Sequence, residues 1–69
     1  MNVVHDAEAL EILLNELQRE HRALDAQITE LHQAVAVDRL AIGRLKKQKL
    51  RLKDQITRIS EQLYPDIIA

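Results

Sequence analysis

The chain has 69 residues and a mass of 8.0 kDa, so it forms one domain at most, near the lower size at which a core sustains folding alone. It has no cysteine, one glycine, one proline and a single tyrosine as its only aromatic residue, which excludes disulfide scaffolds, thiolate metal sites, sandwiches and barrels. Hydrophobic residues at 46% and charged residues at 30% exclude a disordered tail, and the net charge of −1 conceals a division along the chain.

Residues 1–38 carry eight acidic side chains against two basic ones, a net of −6, whereas residues 39–69 carry eight basic against three acidic, a net of +5. Segregation of this kind favours an arrangement that lays one half along the other. A parallel in-register pairing of two chains would set like charges face to face. No apolar run approaches about 18 residues, so no contact with membrane is expected. The opening Met-Asn-Val-Val-His-Asp lacks the basic and apolar regions of a signal peptide, and a cytoplasmic location is the expectation.

The first predicted element is a helix over about 7–34, with Asp6 as its N-cap. Apolar residues recur in it at Leu10, Leu14, Leu17, Leu24, Ile28 and Leu31, and the register continues to Val35 just beyond it, with seam positions alternating three and four apart. That is the heptad spacing of helices that pack knobs into holes. With Leu14 as an a position and Leu17 as a d position, His21, Asp38 and Lys49 are the only polar seam sites.

A turn is expected over about 35–38, although the segment holds neither glycine nor proline. Val35 and Val37 are poor helix formers, and Asp38 suits an N-cap better than a seam position. The second helix then spans about 39–63, with Ile42, Leu45, Leu52, Ile56, Ile59 and Leu63 on the seam, and ends before Pro65. A short tail, 64–69, completes a single domain over 1–69. The fold class is therefore all-α, an antiparallel two-helix hairpin with coiled-coil packing. Seam residues pair with numbers summing to about 73: Leu10 with Leu63, Leu14 with Ile59, Ile28 with Leu45. Long continuous helices pairing as an antiparallel dimer would make the same contacts between chains, and this remains the alternative.

The string Leu45-Lys46-Lys47-Gln48-Lys49-Leu50-Arg51-Leu52-Lys53-Asp54-Gln55-Ile56, with His21-Arg22-Ala23-Leu24-Asp25-Ala26-Gln27-Ile28, resembles the YdcH-like family of small bacterial proteins of unknown function. The resemblance covers roughly residues 21–60. It implies a small helical, coiled-coil-forming protein with no established activity or cofactor. Members of that family tend to carry a looser polar segment where this chain has Ala34 to Asp38, which supports a turn. This chain departs there by being apolar.

The residues themselves suggest several roles. Asp25 and Lys46 are both e positions flanking the seam, and an interhelical ion pair between them is expected. Asp54 and Arg58 form a favourable i,i+4 pair. The basic run Lys46, Lys47, Lys49, Arg51, Lys53 invites a nucleic-acid reading, but these residues spread around the helix and no aromatic is available to stack bases. Neutralisation of helix one is the preferred account. Histidines occur at 5, 21 and 32; His21 and Asp25 lie one turn apart, while His32 is roughly 16 Å further along a helix, so no metal or cofactor is expected. No catalytic constellation is evident, and an enzyme is not expected.

A second stripe of helix two, Leu40, Gly43, Lys47, Leu50 and Asp54, together with Ile12 and Leu13, is apolar surface left after the seam closes. It is the expected interaction surface, with a second copy or an unidentified protein as partner. The tail Ile67-Ile68-Ala69 is either a docking peptide or a cover for the open end of the hairpin, the latter being preferred.

Overall fold

A computed structural model describes residues 7–65. Two α-helices, α1 (Ala7–Gln33) and α2 (Arg39–Leu63), pack against each other along their length as an antiparallel hairpin. Leu, Ala, Glu, Gln, Lys and Arg dominate both helices, and these residues lose little rotamer freedom in helical backbone. Asp6 and the tail beyond Pro65, including Ile67 and Ile68, lie outside the described residues. Among the described residues, no helix is long and apolar enough to cross a membrane.

Between the helices, residues 34–38 reverse the chain without any positive φ. A 3.3 Å bond from the Ala34 N–H to the Leu31 carbonyl tightens the end of α1. Asp38 leaves the helical region at φ −91° and ψ 96°, and its carboxylate accepts from the Ala41 N–H at 3.1 Å. One of the orphan donors of α2 is thereby satisfied. The cap, rather than a glycine, starts the second helix. Val35 does not extend the seam: it sits in the turn, fully exposed, because the reversal removes any partner from its level. At the far end the Tyr64 N–H donates to the Ser60 carbonyl at 2.7 Å, closing α2 immediately before Pro65.

The core is the seam and little else. Leu14, Ile28 and Ile42 are buried, at 8%, 7% and 6% exposure, and Leu10, Leu17, Leu24, Leu31, Leu45, Leu52, Ile56, Ile59 and Leu63 are half-buried. The heptad positions thus face inward on both helices. Among the described residues no side chain is fully buried. The register is visible in two cross-helix links: Asp25 with Lys49, whose numbers sum to 74, and Glu11 with Tyr64, which sum to 75.

Candidate interaction surfaces

Two flanks and two outer edges of the hairpin remain open to solvent, and each carries different chemistry. On the first flank, Lys49 occupies a seam position opposite Leu24. Its stem is held in the seam while its ammonium leaves sideways and donates to Asp25 Oδ1 at 2.6 Å. That hydrogen bond, then the charge of Lys49, holds the Asp25 carboxyl below its ordinary value of 3.8. Partial desolvation opposes the effect and the nearby His21 adds slightly to it.

The expected Asp25–Lys46 pair is therefore corrected: the partner of Asp25 is Lys49. Lys46 lies three residues nearer the turn, about 4.5 Å further along the axis at 1.5 Å per residue. A seam lysine that must export its charge reaches the carboxylate first. Lys46 instead lines a groove with His21, Lys49, Leu50 and Lys53. The Asp54–Arg58 pair is present at 3.2 Å on the exposed face of α2. At the open end the Tyr64 hydroxyl donates to Glu11 Oε2 at 3.4 Å, a link that the heptad pattern alone did not expose.

The outer edge of α2 presents Leu40 and Leu50 at 75% and 69% exposure, with exposed Gly43 and Lys47 between them. Beyond its own turn of helix and its chain neighbours, a Cβ built on Gly43 would meet no described atom within 4 Å, so the position has room for a methyl group. On α1, Ile12 and Leu13 are also exposed.

The second flank is the one that the sequence reading passed over. Its groove exposes the sides of seam residues Leu24 and Leu52 between walls that include Glu20, Gln27, Gln48 and Arg51. Toward the turn it continues past Leu31 and Leu45, between Glu30 on one wall and Arg44 on the other. The g positions along it are Gln27, Ala41, Gln48 and Gln55, all uncharged, with Glu20 the one charged member. The c positions outside them are Glu16, Ala23 and Glu30 on α1 and three arginines on α2.

The basic run does not converge. Lys46, Lys49 and Lys53 line the first flank, Arg51 lines the second and Lys47 faces outward. Among the described residues no three histidine, aspartate or glutamate side chains cluster as metal ligands; His5 lies outside them.

A heptad-packed hairpin with open grooves defines a small all-α protein. The family model described as a protein of unknown function (DUF465) matches residues 14–60, and the chain belongs to that family. YdcH-like small proteins are members of it, so the resemblance read from the two sequence strings holds. The matched span runs from Leu14 to Ser60 and takes in the turn and most of the seam. No curated protein and no solved structure matches the chain.

Proposed function

We propose that the chain is a non-enzymatic, cytoplasmic protein–protein interaction module that acts by pairing with a second copy of itself. One observation carries this reading: among the described residues the hairpin buries only Leu14, Ile28 and Ile42, leaving nine apolar seam residues half-buried and Ile12, Leu13, Leu40 and Leu50 exposed. A core this thin scarcely offsets the ordering entropy of a chain this short. Pairing of hairpins into a four-helix bundle is the usual remedy. The accessible surface agrees in magnitude: 5742 Å² for this elongated chain, against roughly 4,450 Å² for a compact protein of its mass. An interface of ordinary size, about 800 Å² per partner, would remove much of that difference.

The open shape of the grooves supports a binding role over catalysis, since neither flank encloses a substrate-sized cavity away from water. The stripe Leu40, Gly43, Lys47, Leu50 and the Gln-lined flank are the two candidate contacts. Sedimentation equilibrium tests the reading: twice the 8.0 kDa chain mass is expected, and a mass of 8.0 kDa at high concentration would overturn it. Steep salt-dependent binding to a nucleic acid would instead favour a role for the basic run, and no binding at low salt removes that alternative.

A further inference from the structure

Resting on the self-association reading above, the choice between contacts turns on charge and symmetry. Closed pairs of identical chains are most often two-fold, and a two-fold rotation permits no displacement along its own axis. If the axis runs parallel to the helices, each residue of α1 must meet residues of the partner's α2 at its own height. That height is already given by the hairpin, in which cross-helix partners have numbers summing to 74 or 75.

On the Gln-lined flank the c positions of α1 are Glu16, Ala23 and Glu30, and those of α2 are Arg44, Arg51 and Arg58. Glu16 and Arg58 sum to 74, as do Ala23 and Arg51, and Glu30 and Arg44. Among the described residues, Glu16, Glu30 and Arg44 have no ion-pair partner within the chain, and Arg58 has only the exposed Asp54. We propose that a second copy docks on this flank about a two-fold axis parallel to the helices, each α1 lying antiparallel on the partner's α2. Glu16 and Glu30 then meet Arg58 of the partner subunit and Arg44 of the partner subunit, twice over by symmetry. The glutamines, Ala41 and the single acidic g residue Glu20 lie inside these pairs, over the exposed sides of Leu24, Leu31, Leu45 and Leu52, and Glu20 there faces an α2 surface that carries Arg51 and Arg58. Acid meets base at two of the three c-position levels, with Ala23 opposite Arg51 at the middle one, and all neighbouring helices of the resulting four-helix bundle are antiparallel.

The other arrangements oppose like charges. Turning the axis across the helices on the same flank sets Glu16, Glu20 and Glu30 against α1 of the partner. Docking on the first flank brings Arg22 to the height of the partner's Lys53, with Asp25 already engaged by Lys49. Pairing through the outer stripe, in a register that matches Leu40 with the partner's Leu50, sets Arg39 against the partner's Arg51 and Arg44 against the partner's Lys46. Like charges so placed are costly for specificity.

Charge reversal tests the assignment. One variant carries Glu16→Arg and Glu30→Arg; the other carries Arg44→Glu and Arg58→Glu. Each alone is expected to lose the dimer mass, because the α1–α2 contacts become basic–basic or acidic–acidic. An equimolar mixture restores opposite charges at both contacts and is expected to return to twice the chain mass, as a heterodimer. If a variant alone also loses helicity by circular dichroism, the mixture should recover it. Failure of the mixture to pair, or persistence of the dimer in both separate variants, would overturn the proposed geometry while a dimeric parent chain left self-association standing. Leu50→Glu tests the remaining surfaces: dimer mass should survive it, and loss of the dimer would overturn the Gln-lined flank in favour of the outer stripe or the first flank, both of which Leu50 borders.

Discussion

Gly43 offers a direct reading of which surface of α2 is occupied. It lies in α2 with an ordinary helical backbone, and beyond its own turn of helix and its chain neighbours no heavy atom of the described residues lies within 4 Å of the Cβ that an alanine would add. Glycine in a helix interior costs about 1 kcal/mol relative to alanine, chiefly in backbone entropy, so Gly43→Ala should stabilise the fold by about that amount. For a domain of 60–100 residues such a gain raises Tm by roughly 4–8 °C. Thermal unfolding followed by circular dichroism, at several fixed protein concentrations, reads the effect and separates folding from association. Under the proposed geometry Gly43 stays at the surface of the dimer, so the rise should appear at every concentration. An unchanged or lower Tm, worsening as concentration increases, would show that a neighbouring chain closes on Gly43 and would refute the assignment of this edge as free.

Three further outcomes follow from the same contacts. Ile42→Ala removes one of three buried side chains and should cost about 2–4 kcal/mol, enough to leave much of the population unfolded at room temperature; urea titration showing a loss under 1 kcal/mol would mean that the seam is not the core. Asp38→Ala removes the bond to the Ala41 N–H and should cost about 1 kcal/mol in the same assay, with Asp38→Asn largely spared, whereas equal losses would deny the capping role. The Lys49 ammonium keeps the folded Asp25 pKa below 3.8, so its stabilisation is fully present above that value and disappears as pH falls through the lower folded one. The Tm difference between parent and Asp25→Asn should therefore shrink on acidification below about pH 4, and a difference that stays constant would contradict the pair.

The seam was legible from spacing alone because three-four alternation has one meaning in a chain of helix formers. Leu14, Ile28 and Ile42, the three buried residues, all come from that series. The reversal was legible in Asp38, whose short carboxylate suits an N-cap, and misread at Val35, where the period runs on although the helix has ended. The ion pair was misassigned for a different reason. Positional symmetry matched Asp25 with Lys46, but the outcome depended on height along the axis and on where a seam lysine releases its charge. The acidic c positions Glu16 and Glu30, fourteen residues apart, and the basic ones Arg44, Arg51 and Arg58, seven apart, stood in the sequence throughout. They became a matched set only once the hairpin fixed the level of α1 against α2, which periodicity within one helix does not contain.

The account rests on the acidic and basic helices lying side by side in opposite directions within one chain. A spin-label distance between Ile12→Cys and Glu61→Cys, in labelled chain diluted into an excess of unlabelled chain, measures this directly. Both sites are exposed and lie on the outer edges at the same level. With helix axes 8–10 Å apart and the labels facing outward, the hairpin predicts a separation on the order of 20 Å. A single continuous helix would place the same sites roughly 70 Å apart at 1.5 Å per residue, and that distance would contradict the hairpin.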